Sequence, residues 1–68
     1  MDAIKVDLEG QVVTITKEKY IKAKTKDLKN FGYANLTEKD VADQLEKVIN
    51  KETLSVIGMF IEKDIVQE

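Results

Sequence analysis

The chain has 68 residues, of which 43% are apolar and 35% charged, and it contains neither Cys nor His. This length corresponds to one domain near the lower size limit for a single hydrophobic core, and the apolar fraction is too high for a disordered chain. The missing Cys and His exclude disulfide bonds, thiolate metal sites and the usual transition-metal ligands. We therefore predict one globular domain, residues 1–68, that binds no metal ion and needs no cofactor.

The charges are unevenly distributed along the chain. Residues 1–34 carry seven Lys and five acidic residues, whereas residues 35–68 carry four Lys and eight acidic residues. The first ten residues have neither the basic nor the apolar segment of a secretory signal, and no apolar stretch is long enough to span a bilayer. We expect a cytoplasmic protein that does not contact membranes.

The first predicted element is a β-hairpin in the segment AIKVDLEGQVVTIT, where apolar and polar residues alternate on both sides of Glu9 and Gly10. Gly10 can supply the positive φ that a two-residue hairpin turn needs. If Leu8 lies opposite Gln11, one face of the hairpin carries Ile4, Val6, Leu8, Val13 and Ile15. Because a lone hairpin is not stable in water, helices or a third strand must cover this face.

The next segment, TKEKYIKAKTKDLKNFG, has the period of a helix that Thr16 caps and Gly32 ends. Its predicted buried stripe consists of Ile21, Lys24, Leu28 and Phe31, with Tyr20 beside it. The opposite face carries a lysine ridge, which we define as Lys19, Lys22, Lys26 and Lys29. Such a ridge can bind a polyanion, but it is also typical of a solvated helix face. Arg, which reads guanine, is absent, so we expect no sequence-specific DNA recognition by this helix.

The clearest helical pattern is YANLTEKDVADQLEKVINKE, in which Thr37 is the N-cap, Asp40 completes a capping box and Leu36 is placed to pack on Val41. The predicted apolar face consists of Val41, Ala42, Leu45, Val48 and Ile49. The outer face consists of Asp40, Asp43, Glu46 and Lys47. A calcium loop draws its ligands from a turn with a Gly, and these carboxylates project from a straight helix, so we expect no metal site.

The apolar run LSVIGMFI, residues 54–61, fits two structures. As a helix capped by Thr53, it buries Leu54, Ile57, Gly58, Ile61 and Ile65. As a strand, it joins the hairpin. The helix is favoured because the apolar spacing continues to Ile65. The sequence therefore predicts an α+β fold with an N-terminal β-hairpin followed by three helices (ββααα), and leaves ββααβ, with residues 54–61 as a third strand, as the alternative.

A helix in this segment places Val56, Met59 and Phe60 on a second face, away from the domain's own core. Exposed apolar patches usually mark an interface, and a small domain gains stability from association, so we predict a protein interface here, with a homodimer favoured over a different protein partner. The alternative is that all three side chains are buried within the domain.

Nucleic-acid binding is the second functional hypothesis, and it is disfavoured. It uses either the lysine ridge or residues 37–66, which loosely resemble a helix-turn-helix. The connection EKVINKE is longer than the usual turn of that motif, and its second helix offers apolar side chains where base-contacting polar ones should project.

Catalysis is not expected. The chain has no His base and no Cys nucleophile, its single serine, Ser55, lies inside the apolar run, and its three isolated glycines form no phosphate-binding loop. We predict a small non-catalytic protein-interaction or regulatory module. In size and lack of chemistry it resembles the accessory proteins of phages and plasmids.

Overall fold

A computed structural model describes residues 3–66 as a two-stranded antiparallel hairpin followed by three helices. The strands are β1 (Ala3–Leu8) and β2 (Gln11–Thr16), and the helices are α1 (Lys17–Phe31), α2 (Glu38–Ile49) and α3 (Val56–Glu62). The predicted α+β fold with the order ββααα is confirmed. The alternative in which residues 54–61 form a third strand is wrong, because most of that segment is the helix α3.

The hairpin turn has the backbone geometry that its two-residue length requires. Glu9 has a φ of 51° and Gly10 a φ of 88°, so both central residues lie in the left-handed region, as a type I′ turn demands. The Gly10 N–H donates to Oδ1 of Asp7 at 3.0 Å, which adds a side-chain bond across the turn. This turn holds the two strands in one register.

The strand register is the predicted one, with Val6 opposite Val13 and Leu8 opposite Gln11. The apolar face of the hairpin packs on the core, where Val6 is fully buried. Leu8, next to the turn, stays exposed, so the cover of this face ends before the turn.

Helix α1 begins and ends at the predicted caps. Thr16 Oγ1 accepts from the Lys19 N–H at 3.2 Å, and Gly32 has a φ of 128°. The Tyr33 N–H donates to the Leu28 carbonyl at 3.0 Å, which closes a Schellman motif. Gly32 therefore stops the helix because it accepts a backbone conformation that other residues rarely adopt.

The buried stripe of α1 differs from the prediction at its end. Tyr20 and Leu28 are buried as expected, and so is Thr25, whose hydroxyl donates to the Ile21 carbonyl at 2.6 Å. Phe31 is 72% exposed, so its predicted burial is wrong. It has the correct angular position on the helix, but it is the last helical residue and lies beyond the part of α1 that packs on the core.

Helix α2 carries the predicted capping box. Thr37 Oγ1 accepts from the Asp40 N–H at 3.2 Å, and Asp40 Oδ2 accepts from the Thr37 N–H at 3.1 Å. Its apolar face enters the core together with residues from β1, α1 and α3, and Val13 and Ile15 of β2 are partly buried against this core. The buried core consists of Val6, Tyr20, Leu28, Leu36, Val41, Leu45, Val48 and Ile61.

Helix α3 is shorter than predicted. It begins after Ser55, whose Oγ accepts from the Gly58 N–H at 3.4 Å, so the assignment of Thr53 as N-cap is wrong. The predicted continuation of the helix to Ile65 is also wrong, because Ile65 forms an antiparallel bridge with Val6. Backbone pairing with the open edge of β1 replaces the last helical turn.

Candidate interaction surface

The three residues predicted as an interface lie on one side of α3. Val56 is 60% exposed and Met59 is 58% exposed, whereas Phe60 is half-buried against the core. The alternative prediction, burial of all three within the domain, therefore does not describe Val56 or Met59. Because α3 has only seven residues, its outer side is narrow and needs neighbouring elements to form a larger surface.

Aromatic side chains from α1 and from the loop after it extend this surface. The ring centroids of Phe60 and Phe31 are 5.9 Å apart, and those of Phe60 and Tyr33 are 6.1 Å apart, both pairs edge to face. These distances lie within the favourable range for aromatic pairs. We call this surface the aromatic patch and define it as Phe31, Tyr33, Val56, Met59 and Phe60.

Phe31 is the patch residue that sequence reasoning missed as a surface group. Its helical spacing placed it on the buried stripe of α1, yet within residues 3–66 it is the most exposed large apolar side chain. The sequence did contain one indication of this exposure, because Phe31 directly precedes Gly32, where the helix ends. At a helix end, the inner face is often no longer packed against another element. An apolar residue at such an end belongs to the core only if another element reaches it.

A small depression lies beside the two phenylalanine rings. It has a volume of about 180 Å³ and is lined by Lys24, Asp27, Leu28, Phe31 and Phe60. Pockets that enclose a small-molecule ligand are usually about 300–1,000 Å³, so this depression is too small for that use. Its size fits one side chain of another protein.

A partly buried polar cluster lies beside this depression and shares Lys24 with its lining. Oδ2 of Asp64 accepts from the Tyr20 hydroxyl at 2.7 Å and lies 2.7 Å from the Lys24 ammonium. The pKa of Tyr20 is raised well above its usual range, mainly by burial of the phenol and secondly by its hydrogen bond to Asp64. The hydroxyl therefore remains protonated and acts as a donor. The cluster joins α1 to the segment that follows α3.

The lysine ridge lies on the exposed face of α1, as predicted. The Lys22 ammonium lies 3.3 Å from a Glu18 carboxylate, and Glu38 lines the same depression as Lys22, Lys26 and Lys29. These carboxylates lower the positive potential of the ridge. Because Glu18 on α1 and Glu38 at the start of α2 both lie beside the ridge, they weaken the case for a phosphate-binding surface.

The helices that resemble a helix-turn-helix are separated by residues 50–55, a longer connection than the motif uses. The exposed side of α3 presents Val56 and Met59, which offer no hydrogen bonds to base edges.

No group of three or more His, Cys, Asp or Glu side chains within residues 3–66 is arranged to hold a metal ion. In the same part of the chain, every helix is too short or too polar to cross a bilayer.

No family model, curated protein or solved structure matches this chain.

Proposed function

We propose that this protein is a non-catalytic protein-interaction module and that the aromatic patch is its binding surface for another protein. The observation that carries the proposal is the exposure of Phe31 and Met59 on a surface continuous with the ring of Phe60. Contiguous apolar surface of this kind usually marks an interaction site, and aromatic residues and Met are enriched at the centres of interfaces.

Two features support a protein rather than a small molecule as the ligand. The depression of about 180 Å³ beside Phe31 and Phe60 is small and can receive one anchoring side chain. The ring of Phe60 is held by two aromatic neighbours, so the patch is already ordered before binding. An ordered patch loses little side-chain entropy when a partner binds.

The occupant that we propose is a different protein chain. For self-association we propose a separate surface, the outer edge of β2. The homodimer predicted through Val56, Met59 and Phe60 stays a prediction, and the experiment below tests it together with the proposal.

The test compares the wild-type chain with the variants Phe31→Asp and Met59→Asp. Each immobilised chain is exposed to a lysate of the cells that encode it, and the captured protein is identified, purified and titrated against all variants. We expect each patch variant to bind the purified protein at least about tenfold more weakly, because a carboxylate then has to be desolvated in the interface.

The matched control is Ala23→Asp, which places the same charge on an exposed position of α1 outside the patch. It should bind as the wild type does. Equal binding by the wild type and both patch variants would contradict the proposal.

The same variants address the rival functions. Dimerisation in sedimentation that both patch variants abolish would assign the patch to a second copy. Duplex DNA binding that weakens steeply with salt, and is lost in Lys22→Glu and Lys26→Glu, would favour the nucleic-acid hypothesis instead.

A further inference from the structure

The two edges of the hairpin differ in whether they are paired. On the β1 side, the Asp7 N–H donates to the Asp64 carbonyl at 2.8 Å, and the Val66 N–H donates to the Lys5 carbonyl at 3.0 Å. The backbone groups of Lys5 and Asp7 therefore point away from β2. The segment that follows α3 covers this edge as a short third pairing.

The register shows which groups lie on the other edge. Val12 is opposite Asp7 and Thr14 is opposite Lys5. In an antiparallel pair, residues opposite each other point their N–H and C=O groups either both toward the partner strand or both away from it. The N–H and C=O groups of Val12 and Thr14 therefore point outward from β2. Within residues 3–66, these outward groups form no backbone hydrogen bond.

The composition of β2 leaves this outer edge open to another strand. Its sequence, QVVTIT, contains no charged residue, Pro or Gly, and five of its six side chains are β-branched. Val12 is 57% exposed, and Thr14 is exposed as well. Monomeric proteins usually protect such an edge with Lys, Pro, a bulge or a covering element. None of these protections occurs within β2.

We propose that two copies of this chain pair antiparallel along the outer edges of β2 and form a continuous sheet. A two-fold axis through Val13 places Val12 of each copy opposite Thr14 of the other copy. Each of these two pairs exchanges two backbone hydrogen bonds, so the contact forms about four. The contact is isologous, which is the usual form of a homodimer.

Charge complementarity supports a second copy as the occupant. In the same register, the turn residue Glu9 of each copy lies opposite the start of α1 of the other copy. The start of α1 carries Lys19 and the helix N-terminus, which is also positive, together with Glu18 and with Lys17, whose ammonium already lies 3.2 Å from a Glu46 carboxylate. At each end of the paired strands, the acidic turn of one copy therefore meets the positive start of α1 of the other copy. An axis through Val12 instead puts Glu9 opposite Ile15 and shortens the paired segment.

The β2 edge is separate from the aromatic patch. The segment after α3 pairs with β1, on the other side of the hairpin from the open edge. A dimer through β2 therefore leaves α3 and Phe31 available to a different protein.

The test uses sedimentation equilibrium of the full chain and two double variants of exposed β2 residues. In Val12→Lys/Thr14→Lys, like charges face each other in both cross-strand pairs, and we expect the dimer dissociation constant to rise about tenfold. In Val12→Lys/Thr14→Glu, opposite charges face each other, and we expect the dimer to form at least as well as in the wild type.

The matched control is Ala23→Lys/Asn30→Lys, which adds the same charge at exposed positions of α1 and should dimerise like the wild type. Amide hydrogen exchange provides a direct readout, since the Val12 and Thr14 amides should become protected as concentration rises. Thermal unfolding of each variant checks that the fold is intact.

Three results would overturn the inference. They are a strictly monomeric wild type at millimolar concentration, dissociation constants that are equal in the wild type and in Val12→Lys/Thr14→Lys, and failure of Val12→Lys/Thr14→Glu to dimerise. Loss of the dimer only in the variants Phe31→Asp and Met59→Asp would assign self-association to the aromatic patch, and would leave the β2 edge without a role. Retention of the dimer in those variants, with loss of partner binding, would separate the two surfaces.

Discussion

The carboxylate of Asp64 joins the segment after α3 to α1, and its replacement by an amide tests how much this polar cluster contributes to stability. Its Oδ2 accepts from the Tyr20 hydroxyl and pairs with the Lys24 ammonium, each at 2.7 Å. In Asp64→Asn both partners lose a charged acceptor while the shape of the side chain is retained. Hydrogen bonds to charged groups contribute about 1.5–3 kcal/mol and neutral ones about 0.5–1.5 kcal/mol.

We expect Asp64→Asn to lower the free energy of unfolding by about 2 kcal/mol, since two bonds each lose about 1 kcal/mol. For a domain of this size, that loss corresponds to a decrease in Tm of about 8–16 °C. Urea and thermal unfolding followed by circular dichroism at pH 7 measure both quantities. The control is Asp43→Asn, which removes the same charge from an exposed position of α2 and should change stability by less than about 0.5 kcal/mol.

A double-mutant cycle with Tyr20→Phe separates the phenol from the ammonium. Tyr20→Phe removes the hydroxyl, so Asp64→Asn should cost about 1 kcal/mol less in that background than in the wild type. The reasoning is refuted if Asp64→Asn is as mild as Asp43→Asn, or if the effects of the two substitutions in the cycle are additive.

Four further results are expected from the same unfolding assays. The folded-state pKa of Tyr20 is raised above its unfolded value near 10, so its contribution is complete below about pH 10 and is lost as pH rises further, by about 1.4 kcal/mol per pH unit relative to Tyr20→Phe. Thr37→Ala removes a working N-cap and should cost about 1 kcal/mol, whereas Thr53→Ala, at the position wrongly predicted as a cap, should cost less than about 0.5 kcal/mol. Gly32→Ala should cost about 1 kcal/mol or more, because a methyl group is strained at a φ of 128° even though the space around it is open. Phe31→Asp should lower the free energy of unfolding by only about 1 kcal/mol, since its side chain lies outside the core but loses its ring contacts with Phe60 and Tyr33.

Much of the candidate surface could be read from α3, but its extent could not. The spacing of Val56 and Met59 placed both on the outer side of a helix, where the structure has them. The participation of Phe31 and Tyr33 depends on how the end of α1 meets α3, and those segments are almost thirty residues apart in the chain. Helical periodicity states which side of a helix a residue occupies, but not whether another element covers that side.

The open edge of β2 shows the same limit. The alternation of residues predicted the hairpin and its register, and the register alone states which backbone groups point outward. Which edge stays unpaired was settled by the chain after α3. Lys5 and Asp7 are hydrogen-bonded there because residues 64–66 leave the helix and reach β1.

Local rules determined the parts of this protein that depend on neighbouring residues. The turn at Gly10, the cap at Thr16, the stop at Gly32 and the capping box of Thr37 each satisfy backbone groups within a few residues, so composition and spacing were enough to predict them. Tertiary structure alone decided where α3 ends and what Asp64 binds, because the bond to Tyr20 spans 44 residues. The free energy of such contacts comes from the burial and pairing of groups that only the folded chain brings together.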